Sequence, residues 1–332
     1  MKERIVQYDL LKGIGILTVV FMHTWLFLDF RYWCQNWFMA VFFMVAGAFA
    51  AAKGSWWNVT KKRFVRIMVP YFIVATLSFA YWFLLERHFR EETMACAPMW
   101  EFLNIFCPMN MTRYEPHVYN VVLWFLPCMF VASVVFDLML RFIKNERCLL
   151  GGILAIVLVN QFVPFWAPFY LPQALSAVPF MYLGHLLQKY RPVWTAQVSR
   201  WYVPAVVLAL AILIASYFAV VPCEVRYNRF DGGYLYYFFF ATLVNLALYV
   251  LTLKVKSCRL LTWAGGASLA IMLMHEPIKR MVAMAFSFLV WREAASLRSV
   301  WWGAALIALA TVLVCAVLIT VYDRLVVRRM KR

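Results

Sequence analysis

Long apolar runs broken by short polar clusters dominate the chain. The stretches 203–219 and 300–321 carry no charged residue at all. A helix that crosses the hydrocarbon needs about 17–25 mostly apolar residues. Alternating apolar and polar positions, the mark of a membrane β-barrel, are absent. The pattern predicts an all-α polytopic membrane protein of about ten transmembrane helices. They begin near Tyr8, Asn36, Phe64, Val118, Cys148, Pro172, Trp201, Gly233, Leu260 and Val300. The second and sixth are short, and the ninth runs long or re-enters between Leu260 and Trp291. No soluble domain, internal repeat or low-complexity tail interrupts this, so residues 1–332 are expected to form a single integral-membrane domain.

Composition agrees. Of 332 residues, 65% are hydrophobic and 14% charged, and the mean hydropathy is +0.75. A soluble domain is about half apolar and about a quarter charged, so a soluble enzyme is excluded, as are disordered and collagen-like chains. The formal net charge of +17 would suggest nucleic acid in a soluble protein. Here it is read as topology, because Lys and Arg collect in cytoplasmic loops. With the N-terminus inside, twenty-one basic residues fall on inner segments. Ten fall on outer segments, balanced by ten acids, and Lys12 lies inside the first span. Both termini are therefore expected in the cytoplasm, with no nucleic-acid partner.

The eight cysteines show no CxxC or Cys/His pattern, and no metal site is expected. Cys96 and Cys107 share one polar loop and could pair if that loop is extracytoplasmic. No small-residue cleavage site follows the first apolar run, so it is read as a span and not as a removable leader.

Ionisable residues inside a span usually face a functional interior. The first span holds Asp9, Lys12 and His23. Lys12 and His23 are eleven residues apart, about three turns, so they share a face some 16 Å apart along the axis. Asp9 and Lys12 are three apart and can pair. The plainer alternatives are a snorkelling lysine and a histidine that hydrogen-bonds a neighbouring helix. The next inner loop, 61–71, carries Lys61, Lys62, Arg63 and Arg66 at a helix entry. Guanidinium forks there suit a phosphate, or simply anchor the chain at anionic lipid. Glu115 and His117 precede the fourth span on the outer side, Trp124 sits within it, and His275 and Glu276 lie near the outer end of the ninth.

Several stretches together resemble membrane acyltransferase family 3, the integral-membrane O-acyltransferases, and especially its fucose-4-O-acetylase-like branch. They are Lys12-x10-His23 with Asp9-x-x-Lys12-Gly13-Ile14, Phe42-Phe43-Met44-Val45-Ala46-Gly47, Arg63-x-x-Arg66-Ile67 with Pro70-Tyr71, Leu123-Trp124-Phe125-Leu126-Pro127, Pro179-Phe180-Met181-Tyr182-Leu183-Gly184, and Gly265 through Met274-His275 with Pro277. They occur in family order across nearly the whole chain. Ala46 replaces the usual Ser, and Met272 stands where Tyr is common.

The resemblance implies transfer of an acyl group, usually acetyl, from cytoplasmic acyl-CoA to a sugar hydroxyl on the outer side, in a bacterial inner membrane. Acetyl-CoA is then a co-substrate, with no tightly bound cofactor; the partners are acyl-CoA, a glycan or lipid-linked sugar, and membrane lipid. His23 is expected as general base, with a covalent acyl-histidine as the second option. Asp9 and Lys12 complete the catalytic group, Lys12 either supporting the CoA phosphates or thioester or fixing the helix through Asp9. Lys62, Arg63 and Arg66 are expected at the CoA phosphates, and Glu115, Trp124 and His275 at the acceptor. The competing reading is a transporter or flippase of a glycan-type solute, which favours repeats and paired broken helices.

Overall fold

In the computed structural model of the chain, residues 5–24, 27–50, 54–88, 94, 96–109, 118–162, 167–290 and 294–327 are described. The protein is helical throughout, apart from a pair of two-residue antiparallel strands, β1 (Cys223–Glu224) and β2 (Arg229–Phe230). The principal helices are α1 (Val6–Thr24), α2 (Phe38–Ala48), α3 (Trp56–Leu84), α4 (Phe125–Phe142), α5 (Glu146–Phe162), α6 (Leu171–Lys189), α7 (Tyr202–Phe218), α8 (Gly233–Thr252), α9 (Arg259–Gly266), α10 (Ser268–Val290) and α11 (Trp301–Tyr322).

Four stretches of the described residues are long and apolar enough to cross a membrane: Trp56–His88, Val121–Phe142, Gly233–Thr252 and Trp301–Leu325. The short helix Arg191–Arg200 and α7 make a fifth if taken as one span bent by 97°. The bend falls at Trp201, where a polar helix gives way to an apolar one that carries no charged residue. The protein is thus an all-α membrane protein.

Helix starts differ most from the expected ones in three places. Helix α4 begins at Phe125, seven residues after Val118, behind a 3-10 turn at Val121–Trp124. Helix α3 begins at Trp56, eight residues before Phe64, because the basic stretch at 61–66 is itself helical and exposed. The expected ninth span is two helices, α9 and α10, that meet at Ala267.

The chain divides into two compact units, 1–34 with 254–332, and 35–253. In the first unit, α9, α10 and α11 all pack on α1. Two glycines set the closest of these approaches. A Cβ on Gly13 would overlap the Leu261 carbonyl, and one on Gly265 would overlap the Asp9 carbonyl. Small residues that let backbones touch are how helices associate where lipid supplies no hydrophobic drive. Ala283, Leu297 and Ile307 form a small apolar core in the same unit.

The second unit repeats the device. Gly47 of α2 lies on the backbone of Met181, and Gly184 of α6 lies on the backbone of Met44. Helix α2 is only 11 residues long but is buried at almost every position. Asn245 of α8 ties its amide to the Trp37 carbonyl at 3.0 Å, so the entry to α2 is held by a hydrogen bond as well as by packing.

Candidate active site

Helix α1 ends at Thr24, and its last carbonyls would otherwise lack helical donors. Two cations supply them, the buried Lys279 and the partly buried Arg298. Lys279 Nζ donates to the His23 carbonyl at 3.2 Å. Arg298 donates to the same carbonyl at 3.0 Å and to the Thr24 carbonyl at 2.9 Å. Positive charge at a helix C-terminus is favourable in itself.

Lys279 also pairs with both oxygens of Glu276 at 2.8 Å. Arg280 reaches the same carboxylate at 3.2 Å. These residues stand three and four apart on α10, so the helix itself brings them together. Glu276 and Lys279 are 5% and 7% exposed at the side chain, so their charges meet each other, not water. The Glu276 carboxylate lies 3.8 Å from His23 Nδ1.

His275 completes the cluster. Its ring centroid is 5.5 Å from that of His23. Nδ1 lies 2.9 Å and 3.1 Å from the carbonyls of Ile271 and Met272. Carbonyls only accept, so Nδ1 carries the hydrogen and donates to them. Nε2 of the neutral ring is then a lone-pair acceptor. It is buried and has no hydrogen-bond partner among the described residues.

At the other end of α1, Lys12 Nζ pairs with Asp9 at 2.9 Å. Lys12 and His23 are both partly exposed, while their neighbours Leu11, Gly13, Met22 and Thr24 are buried.

In the second unit, the basic entry of α3 divides into two faces. Arg63 turns inward, donating to the Ser133 carbonyl at 3.0 Å and facing Asp137 at 3.5 Å. Asp137 is fully buried and also binds Arg141 Nε at 2.6 Å. Arg141 reaches the Gly54 carbonyl at 2.8 Å, just ahead of α3. Arg66 and Lys62 turn outward and, with Asn58, Lys61 and Val65, line an open depression of ≈ 420 Å³. The structure therefore groups Lys62 with Arg66 and sets Arg63 apart. Trp124 is buried, 8% exposed, with its ring 5.8 Å from that of Tyr170. Glu115 and His117 lie outside the described residues.

Sequence reasoning missed Asp137, Lys279, Arg280 and Arg298. Asp137 had a signal, since it is a lone acid inside the apolar run 130–140. The links from Lys279 and Arg298 to the end of α1 span more than 250 residues, and no local spacing announces them. Cys34, Cys107, Cys128, Cys148, Cys223, Cys258 and Cys315 are free thiols. Burial and the nearby Glu224 and Asp231 carboxylates push the Cys223 thiol in the strand pair well above its ordinary range, which leaves it inert.

No curated protein and no solved structure matches the chain. The acyltransferase domain model of acyltransferase family 3 matches residues 5–320, across both units and the whole of the α1–α10 cluster. The chain belongs to that family, and with it to the enzymes that transfer acyl groups.

Proposed function

We propose that the protein is an O-acyltransferase. It moves an acyl group, acetyl in the first instance, from cytoplasmic acyl-CoA to a hydroxyl of an extracytoplasmic or membrane-linked glycan. In this reading it is one integral-membrane domain of ten spans, with both termini in the cytoplasm of a bacterial inner membrane. The observation that carries the reading is the position of His23. It is a partly exposed imidazole at the end of α1, against a buried carboxylate and with its own carbonyl held by two cations.

A neutral imidazole is suited to take the proton of an acceptor hydroxyl. The hydroxyl oxygen then bonds to the thioester carbonyl carbon, and the C–S bond breaks. The leaving CoA thiolate recovers the proton from the imidazolium, so the enzyme ends unchanged. Lys62 and Arg66 offer a cationic face for the CoA phosphates, and Arg63 supports that face through Asp137 rather than by direct contact. Lys12, paired to Asp9, fixes the inner turn of α1. Trp124 and His275 remain candidates for acceptor contacts, as does Glu115.

The test uses purified full-length protein, labelled acetyl-CoA and a panel of hydroxylated glycans. Wild type labels at least one glycan. His23→Ala lowers that transfer by about 10²- to 10⁴-fold, the usual worth of a general base. Transfer at the wild-type rate by His23→Ala would remove His23 from the mechanism. Movement of an unmodified glycan across vesicles, with no acyl transfer, would favour the transporter reading.

A further inference from the structure

An imidazole works as a base only when the lone pair is on the nitrogen that meets the substrate. That requires the other nitrogen to hold the hydrogen, and some group must fix the choice. Around His23 the described groups are Glu276, His275, Lys279, Arg298 and Arg31, the last a cation and so a donor only. Lys279 and Arg298 are donors only and already bind the His23 backbone carbonyl. His275 donates through Nδ1 to its own helix, which leaves an uncharged lone pair at Nε2. Glu276 is the one negative charge among these groups, and it faces His23 Nδ1 at 3.8 Å.

We propose that Glu276 is a positioning residue for His23: it takes the Nδ1–H hydrogen bond and so places the lone pair on Nε2, toward the acceptor hydroxyl. The proposal rests on the reading of His23 as the base. At 3.8 Å the contact is longer than a hydrogen bond, which runs to about 3.2 Å. Catalytic hydrogen bonds in enzymes without substrate are often long and tighten when the complex forms. The anchoring of Glu276 makes such tightening a small movement. Lys279 grips both carboxylate oxygens and also the His23 carbonyl. Carboxylate and imidazole are thus tied to one ammonium, from the side-chain end and the backbone end. Arg280 also donates to Oε1 of the carboxylate, at 3.2 Å. A carboxylate held this way cannot swing away from the ring.

The arrangement also explains why a costly group is buried here. A buried ion pair seldom stabilises a fold better than well-packed apolar residues would. A carboxylate that orients a base has a reason to be buried beside it. The same logic runs through histidines that ligate metals or serve in hydrolytic triads, where the second nitrogen is fixed by an acceptor.

The test reads the tautomer directly and needs no acceptor sugar. Full-length protein carrying nitrogen-labelled histidine is compared with His23→Ala, and the difference assigns the His23 signals among the five histidines. Wild type shows His23 protonated at Nδ1. Glu276→Gln, or Glu276→Asp if the glutamine variant does not fold, shows a mixture of tautomers. In the transfer assay the folded variant keeps its KM for acetyl-CoA and loses about 10- to 100-fold in kcat, as orienting partners usually cost. Its acid limb in the pH–rate profile is displaced from that of wild type. An Nε2–H tautomer in wild type overturns the proposal. So does a folded Glu276 variant with wild-type kcat and tautomer, or a loss of rate that only follows the loss of folded protein. If His23→Ala itself transfers normally, the base assignment fails, and the tautomer result stands apart from it.

Discussion

The guanidinium of Arg63 is turned onto Asp137, 3.5 Å away, while Lys62 and Arg66 line the open depression. Two basic residues three positions apart on one helix therefore do different work. Arg63 belongs to an arrangement of two partly exposed arginines, Arg63 and Arg141, on the buried Asp137, which pins α3 and the turn before it to α4.

Removing Asp137 would leave two guanidinium groups without their shared carboxylate. Breaking a buried pair from one side costs about 3–5 kcal/mol. Asp137→Ala is expected near the low end of that range, because Arg63 and Arg141 are 21% and 15% exposed. Thermal unfolding in detergent measures it, and an unchanged transition would show that the pair carries no structural load.

Arg66→Ala and Lys62→Ala should leave that transition in place, since both side chains are exposed. They should raise the KM for acetyl-CoA, and added salt should erase much of the difference from wild type, because exposed charges are screened. Arg63→Ala should instead lower stability and donor affinity together. If all three variants bind acetyl-CoA like wild type, the phosphates rest elsewhere.

The paired glycines give a sharper stability test. Gly265→Ala and Gly184→Ala each drive a methyl group into a facing backbone carbonyl. Overpacking typically costs about 1–3 kcal/mol, and a rigid backbone gives way less than a side chain does. Gly151→Ala is the control: it sits in α5 with open space around it. There alanine should stabilise by about 0.5–1 kcal/mol, because it loses less conformational freedom than glycine in a helix. The transitions of the three variants, compared with wild type, check both signs.

Transfer should fall as the pH drops through the titration of His23, because an imidazolium cannot accept the hydroxyl proton. The residual transfer of His23→Ala should lack that limb. A pH–rate profile for the two proteins decides it.

Ten spans with cytoplasmic termini place Cys107 outside and Cys148 inside, and both are exposed. A membrane-impermeant thiol reagent on intact cells should label Cys107 and spare Cys148. Labelling of Cys148 would reverse that part of the topology.

Much of the helical layout was legible in the sequence, because a run such as 300–321 has no other stable form in lipid. Edges were less legible. Helix α3 starts at Trp56 because a basic, solvated stretch can be helical too, and hydropathy does not see it. The site was legible only as far as local spacing reached. Asp9 with Lys12 is a separation that a helix turns into a contact, and it was expected; Glu276 with Lys279 has the same spacing and was passed over. The reversal of Arg63 was not legible, because it depends on Asp137, 74 residues later on another helix. The caps on α1 are further still, and only the folded chain reveals them.

The first unit joins residues 1–34 to residues 254–332. During synthesis, α1 enters the bilayer long before Lys279 and Arg298 have been made, so its end must wait with open carbonyls while the intervening 219 residues of the second unit are laid down. The imidazole receives the groups of α10 and Arg298 only when the last quarter of the chain arrives. A ribosome that stops early releases a protein whose His23 lacks Glu276, His275, Lys279 and Arg298 around it.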